Sequence, residues 1–183
     1  MIYIVRHGQT DWNKEKVMQG QTDIPLNETG KEQAREQGEK LKDIVFDYIF
    51  CSPLTRTKQT LENLNVKCKT KIIYDDRLKE RNYGEFEKTP KSSFDYNLFW
   101  NHFVNKKYLK AECCQDFFKR VISLFEEIKK KCKDKNVLIV THAGITKVAK
   151  CYFDGWLKDE EIGPYLPNNA EILIYNFQCN DKS

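Results

Sequence analysis

Glycine and proline are scarce in this chain, at 8 and 5 of 183 residues. There is no low-complexity tract and no repeat with a period of about 20 to 50 residues, which argues against solenoids and propellers. The seven cysteines form no Cys-X-X-Cys pair. Because their number is also odd, we expect neither a disulfide framework nor a zinc site, and we expect a reducing, cytoplasmic location.

Long apolar runs are missing too. None approaches the roughly 20 residues of a membrane-spanning helix, and no signal-peptide pattern is present, so we expect no membrane partner. The net charge is only +4, and the densest basic run is KKKCKDK at 129–135. That run falls at the end of a predicted helix, where the helix dipole favours lysine. We therefore expect no nucleic-acid partner, whereas the small positive excess favours an anionic small substrate.

Short apolar segments alternate with longer helical patterns, which we interpret as a single domain over 1–183. Strands are predicted at 2–5, 47–51, 71–74, 137–141 and 171–177, and helices from Asn27 or Thr29 to Lys42 and at 55–64, 117–131 and 145–153. This order predicts an α/β fold, a three-layer sandwich with a mainly parallel central sheet flanked by helices. We expect the segment 2–5 to be the central strand.

The stretch 86–116 does not follow the alternation, and it is rich in aromatic, lysine and asparagine residues. We interpret it as a small helical cap inserted over the carboxyl edge of the sheet, where α/β proteins bind ligands. Two interpretations of its aromatic residues stay open: they line a ligand pocket, or they only pack against one another and the core.

Two of the three histidines directly follow predicted strands, His7 in VRHG and His142 in VTHAG. Each is followed within two residues by a glycine, Gly8 or Gly144. We interpret these glycines as leaving room for ligand oxygens to approach backbone N–H groups. The third histidine, His102, falls in the insertion, where we expect a structural or exposed side chain.

Two arginines and a carboxylate are predicted at the same edge of the sheet. Arg6 precedes His7, Arg56 begins the helix after the second strand, and Glu80 follows the fourth strand-like segment. The planar fork of arginine suits phosphate oxygens, and histidine is a competent covalent nucleophile. A second imidazole would neutralise transition-state charge, and a protonated carboxyl would protonate the leaving oxygen. The set therefore predicts phosphomonoester chemistry.

A zinc centre is the main alternative for the histidines. It would need at least three ligands, usually with a closely spaced pair. His7 and His142 are far apart in sequence, there is no HExxH motif, and neighbouring arginines would repel a cation. We therefore expect no metal and no cofactor.

The residues also carry a family resemblance. RHGQT at 6–10 with WN at 12–13 resembles the signature of the histidine phosphatase superfamily, also called the phosphoglycerate mutase-like family. The segments at 18–30, 52–60, 78–87 and 140–144 resemble its further motifs, in the same order. The resemblance implies a mainly parallel sheet with a variable helical cap.

The resemblance also implies roles for individual residues. His7 would be the phosphohistidine nucleophile, Arg6, Arg56 and His142 would form the phosphate pocket, and Glu80 would donate the proton. Asn13, Gln19 and the amide of Gly144 would add contacts to the phosphate, although Asn13 could simply cap a turn. Arg81 and Tyr83 could reach the substrate, with core packing as the alternative for Tyr83. Glu112 resembles part of a Gly-Glu-Ser turn, but Ala111 and Cys113 replace its neighbours.

The family contains phosphatases and phosphoglycerate mutases. The insertion is short and has no arginine between Arg81 and Arg120, which favours a phosphatase over a 2,3-bisphosphoglycerate-dependent mutase. The expected partner is a small phosphorylated metabolite, and broad specificity and an α-ribazole-phosphatase-like activity both stay open. Lys88 and Lys91 could contact a second anionic group or lie on the surface. A non-catalytic phosphate-binding protein is the third alternative, and a homodimer is among the open assemblies.

Overall fold

The computed structural model describes residues 1–155 and 162–176. Its strands are β1 (Ile2–Arg6), β2 (Val45–Phe46), β3 (Tyr48–Cys51), β4 (Lys67–Cys68), β5 (Ile73–Tyr74), β6 (Val137–Thr141) and β7 (Ile172–Tyr175). Its α-helices are α1 (Asp11–Lys14), α2 (Glu28–Leu41), α3 (Thr55–Leu64), α4 (Tyr96–Trp100), α5 (Cys114–Lys131) and α6 (Ala143–Asp154). Three short 3₁₀ turns lie at 76–78, 84–86 and 91–93.

The main sheet has the strand order β5-β3-β6-β1-β7. All neighbouring pairs are parallel except β1 with β7, which are antiparallel. The predicted α/β fold with a mainly parallel sheet is therefore confirmed. The expectation that the first strand is central is wrong, because β6 occupies the middle position and β1 lies beside it.

Alternate side chains of each inner strand pack on opposite faces of the sheet. Ile4 and Ile139 belong to the core under α5 and α6, whereas Val5 and Val140 belong to the core under α2 and α3. Strands covered on both faces have no solvent side, which explains why β1 and β6 are almost continuously apolar. The helices and the sheet between them form the three layers predicted.

Several element boundaries differ from the predictions. Asn27 caps α2 by accepting a hydrogen bond from the Gly30 amide, which decides between the two predicted caps. Helix α5 begins at Cys114, three residues before its predicted start. The predicted strand 71–74 is reduced to Ile73–Tyr74, and the last residue of the predicted strand 171–177 lies outside the described residues. The small ladder between β2 and β4 has no counterpart in the predictions.

The insertion packs largely against itself, through a cluster of aromatic side chains. Phe86 stacks on Phe94 with ring centroids 4.2 Å apart, and Phe99 and Tyr108 pack edge-on or tilted against them. These contacts favour ordinary packing for most of the aromatic residues. Tyr96 differs, because it also lines the cavity described below.

Within the described ranges, no helix is long and apolar enough to cross a membrane. The six cysteines found there, Cys51, Cys68, Cys113, Cys114, Cys132 and Cys151, are all free thiols.

Candidate active site

A cavity of about 950 Å³ opens at the carboxyl ends of β1, β3 and β6. This edge is where parallel α/β sheets bind ligands. Seven of the predicted site residues line it, namely Arg6, His7, Asn13, Gln19, Arg56, Glu80 and Tyr83. His142, Gly144 and Arg81 are not part of the lining.

His7 is held at the end of β1 by the sheet itself. Its amide donates to the Thr141 carbonyl over 2.8 Å, which continues the pairing of β1 with β6 by one residue. Its ring Nδ1 lies 2.7 Å from the Gly8 carbonyl oxygen. A carbonyl can only accept, so the proton is on Nδ1, and Nε2 keeps its lone pair. Nε2 is therefore the nucleophilic atom of this ring.

His142 lies beside His7, with ring centroids 5.2 Å apart. Arg56 Nε is 3.2 Å from His142 Nδ1, and an arginine N–H can only donate. The Nδ1 atom is thus the acceptor, and the Nε2 proton goes to the Ser52 hydroxyl over 2.8 Å. Ser52 orients the ring, and Nδ1 points to the same side as the Arg56 guanidinium.

Burial lowers the pKa of both histidines well below their ordinary value of 6.5, and the positive charge of Arg56 lowers each further. His7 is consequently neutral at physiological pH, as a nucleophile must be. A bound dianionic phosphoryl group would reverse the local charge and favour the cationic form of His142.

These pKa values predict a pH-dependent stability. The unfolded histidines bind protons below about pH 6.5, and the folded ones do not, so the free energy of unfolding should fall as the pH drops from 6.5 to 5.5. The slope should approach about 1.4 kcal/mol per pH unit for each histidine. Urea unfolding at several pH values measures it. His142→Gln should remove about half of the slope, and a flat profile in the unmodified protein would contradict the assignment.

Arg6 and Arg56 are buried cations, 6% and 0% exposed. Arg6 donates to the Pro167 carbonyl over 2.6 Å, and its Nε has no hydrogen-bond partner among the described residues. Arg56 donates to the carbonyls of Gly20 and Thr22. Burial lowers the pKa of Arg56 to about 10, so it stays charged at neutral pH.

Neither arginine forms an ion pair with a carboxylate in the part of the chain that the structure describes. The carboxylate of Glu80 lies near enough to interact favourably with both positive charges, but a buried charge without a hydrogen-bonded counter-charge is still costly. The two guanidinium groups beside His7 therefore create a site for an anion.

Glu80 lines the cavity from the loop that follows the first 3₁₀ turn, and it is 5% exposed. Its Oε1 accepts from its neighbour's amide, Arg81 N, over 2.8 Å, and its Oε2 accepts from Gly144 N over 2.9 Å. Two backbone donors thus fix the plane of the carboxyl group. The Gly144 amide is occupied by Glu80, and the predicted contact of this amide with the phosphate is replaced by that bond.

The two glycines after the histidines serve protein packing rather than ligand approach, which corrects their interpretation. A Cβ on Gly8 would lie 2.2 Å from the Gly30 carbonyl oxygen, at the start of α2, and the Gly8 amide donates to Thr60. A Cβ on Gly144 would lie 2.0 Å from Glu80 Oε1. Each glycine therefore allows another part of the chain to come close.

Gly144→Ala should displace the Glu80 carboxyl group, because the new methyl group needs the space of Oε1. For the phosphomonoester chemistry that the sequence predicts, we expect kcat/KM to fall about 10- to 100-fold, since displacements near 1 Å can cost that much. Steady-state kinetics with a thermal melt as control measures this. Unchanged kinetics in a folded variant would show that the position of Glu80 does not matter.

Asn13 combines the two roles considered for it. Its Oδ1 accepts from the amide and the hydroxyl of Thr10, which closes the cap of α1, and from Asn169 Nδ2. Its side-chain NH₂ group is the part that can donate to an anion in the cavity. The Gln19 Oε1 is buried without a hydrogen-bond partner among the described residues. Burial raises the pKa of Tyr83 well above 10, so its phenol keeps its proton as a donor.

Arg81 does not reach the cavity, and its predicted contact with the substrate is corrected. It is fully buried under the cap, where its guanidinium carbon lies 3.7 Å from the centre of the Phe99 ring. Its Nε and one terminal nitrogen donate to the carbonyls of Glu112 and Phe99. It ties the cap to the rest of the protein.

One wall of the cavity has no counterpart among the predicted site residues. The loop 166–169 lines it, and Asn169 also donates to the His7 carbonyl. Lys147 holds the preceding segment, because its buried ammonium donates to the carbonyls of Ile162, Gly163 and Tyr165. No motif marks this loop. Ser52 could have been found, since it follows β3 at the predicted edge.

No group of three or more histidine, cysteine, aspartate or glutamate side chains within residues 1–155 and 162–176 is arranged to hold a metal ion. The residues around His7 are instead arranged for an anion.

Comparisons with known proteins agree with this geometry. Residues 2–182 match the family model of the histidine phosphatase superfamily, branch 1. The chain is 38% identical over 141 residues to the uncharacterized phosphatase PhoE of Bacillus subtilis, covering 77% of this chain and 70% of that one. It is 33% identical over 147 residues to the probable phosphoglycerate mutase GpmB of Shigella dysenteriae, covering 77% and 68%.

Among solved structures, YhfR of Bacillus stearothermophilus is similar with a TM-score of 0.81 at 26% identity, covering 93% of this chain and 88% of that one. The family model spans nearly the whole chain. Together with the curated relatives, this shows that the chain belongs to the histidine phosphatase superfamily, branch 1.

Proposed function

We propose that this protein hydrolyses phosphomonoesters of small metabolites through a phosphohistidine on His7, without a metal. One observation carries the proposal, the pair of buried arginines without paired carboxylates next to the free Nε2 of His7. Such a pair stabilises a phosphoryl dianion at the atom that attacks it. The phosphatase name of the Bacillus subtilis relative supports the same reaction class.

In the first step the Nε2 lone pair of His7 attacks phosphorus, and the bond from phosphorus to the ester oxygen breaks. The bonding electrons leave with that oxygen, which takes a proton from the carboxyl group of Glu80. In the second step water attacks the phosphohistidine and gives a proton back to Glu80. The nitrogen–phosphorus bond then breaks, and its electrons return to Nε2. Arg6 and Arg56 hold the equatorial oxygens throughout, and protonated His142 beside His7 adds positive charge near them.

The cavity is much larger than a phosphoryl group, and its outer wall is partly apolar. Trp12, Met18, Tyr96 and Leu166 contribute to that wall. A leaving group with a ring or an apolar face would fit it. Both broad specificity and hydrolysis of an α-ribazole-phosphate-like ester are consistent with these walls, and a panel with aryl, sugar and α-ribazole phosphates and 3-phosphoglycerate would separate them.

A phosphoglycerate mutase is the second candidate, because Lys16 and Lys91 also line the cavity and could bind a second anionic group. The Lys91 ammonium already makes a cation–π contact inside the protein, because it lies 3.8 Å from the centre of the Tyr96 ring. We favour the phosphatase, because the insertion contributes a single basic residue to the lining. Isomerisation of 3-phosphoglycerate that depends on 2,3-bisphosphoglycerate and is faster than phosphate release would instead establish the mutase.

The direct test is hydrolysis of p-nitrophenyl phosphate in excess chelator. Rapid quenching of the enzyme after mixing with a substrate labelled in its phosphate detects the phosphoenzyme. We expect full activity in chelator, inhibition by vanadate, and a phosphoenzyme that is labile to acid and stable to alkali. Loss of activity in chelator that added metal restores would overturn the proposal. Tight phosphate binding without turnover of any ester would indicate a binding protein.

A further inference from the structure

Arg120, on α5, uses all five of its N–H donors, and three of them bind the loop that carries Glu80. It donates to the carbonyls of Arg77, Lys79 and Glu80 over 2.7, 2.9 and 3.1 Å. Its two remaining donors go to the carboxylate of Glu112, over 2.6 and 2.9 Å. One guanidinium thus fixes three carbonyls of the loop just before and at Glu80.

Glu112 binds the same loop on the other side of Glu80. Its amide donates to the Asn82 carbonyl over 3.0 Å, and its Oε2 accepts from the Asn82 amide over 3.3 Å. Its side chain and that of Arg120 form an ion pair that is only about one-fifth exposed. The chain is therefore held from residue 77 to residue 82, and Glu80 lies in the middle of the held segment.

We propose that Arg120 and Glu112 are positioning residues that hold Glu80 for proton transfer to the leaving oxygen. The inference rests on the proposed function and deepens it. Neither residue lines the cavity, so neither touches the substrate. They act through the backbone of a loop that has only one short 3₁₀ turn of its own, whereas helix α5 is anchored by a fully buried apolar face.

The planar fork of arginine is essential to this arrangement. Five donors in fixed directions match three carbonyls and one carboxylate, and a lysine offers only three donors from a single atom. Arg120→Lys should keep the positive charge but lose some of the hydrogen bonds to the loop and to Glu112. Glu112→Gln should keep the shape and weaken the charge-assisted bonds.

The experiment compares two substrates that differ in their need for an acid. An alkyl phosphate has a poor leaving group and needs the proton from Glu80, whereas 2,4-dinitrophenyl phosphate has a good leaving group and does not. We expect Arg120→Lys and Glu112→Gln to lower kcat/KM, which reports the first step alone, about 10- to 100-fold for the alkyl ester. For the dinitrophenyl ester, kcat/KM should change by less than about 3-fold.

Arg77→Lys is the matched control, because Arg77 also joins this loop to α5, through Glu127, but places no donor on the backbone at residues 79 or 80. It should affect the two substrates equally. In addition, Arg120→Lys should cause no further loss with the alkyl ester once Glu80→Gln is present, because both changes remove the same proton transfer.

Equal losses for both substrates in Arg120→Lys and Glu112→Gln, or losses that multiply with Glu80→Gln, would overturn the positioning role. Failure of the proposed function itself would look different, since the unmodified protein would then form no phosphohistidine with either ester. Thermal melts of all variants keep loss of folding separate, and Glu112→Gln serves as the milder change if Arg120→Lys unfolds.

Discussion

Replacing His7 with alanine is expected to lower phosphomonoesterase turnover by about four orders of magnitude or more, the scale seen when a covalent nucleophile is removed. The reason is that Nε2 of His7 is the one ring nitrogen of the two site histidines without a hydrogen-bond partner among the described residues. His142 cannot replace it, because both of its ring nitrogens are engaged, with Arg56 and Ser52. The loss should appear in kcat, with no labelled phosphoenzyme after rapid quenching.

His102→Gln is the matched control for this variant. His102 is the third histidine, lies in the insertion against Phe103 and Phe118, and is not part of the cavity lining. We expect it to keep turnover and phosphoenzyme formation within a few-fold of the unmodified protein. Normal turnover in folded His7→Ala, or an equal loss in His102→Gln, would contradict the nucleophile assignment.

Glu80→Gln is expected to have the second largest effect, and the size should depend on the substrate. Glutamine keeps the shape of the side chain and an oxygen for one of the two backbone donors, but it cannot give a proton to the leaving oxygen. General acid catalysis contributes about 10²- to 10⁴-fold, so kcat for an alkyl phosphate should fall by that factor. For 2,4-dinitrophenyl phosphate the first step should be almost unaffected.

A series of aryl phosphates with increasingly basic leaving groups measures this dependence. In the unmodified protein the rate should change little along the series, whereas in Glu80→Gln it should fall steeply as the leaving group becomes more basic. The same low sensitivity in both proteins would show that another group supplies the proton. Tyr83 would then be the first residue to test, because burial keeps its phenol protonated next to Glu80.

Much of the fold follows from local patterns. The nearly continuous apolar runs of β1 and β6 predict strands covered on both faces. The small and apolar residues Ala34, Gly38 and Leu41 recur at helical spacing and lie on the buried side of α2. These features depend on neighbours a few residues away, so they can be read from the chain. The position of β1 in the sheet could not, because strand order depends on which crossover packs on which face.

The site, like the fold, can be predicted from the sequence only in part. That His7, His142, Arg6 and Arg56 meet at one edge follows from their places just after parallel strands and at the start of a helix. The partners of Gly144 and Arg81 do not follow, because each depends on a segment more than 15 residues away that packs against it. The loop 166–169 was missed for a similar reason. Arg6 holds it through the Pro167 carbonyl, and Lys147 holds the segment before it through further carbonyls, which every residue has.

The sequence by itself determined the family, the kind of fold and the chemical types at the site, because motifs specify which side chains are present and in what order. Only the tertiary structure decided which hydrogen bond each donor makes. It directs the Gly144 amide to Glu80, turns Arg81 into the cap, leaves Nε2 of His7 without a partner among the described residues, and places Arg120 on the loop that carries Glu80. These outcomes depend on distances between elements that are far apart in the chain, and packing sets those distances.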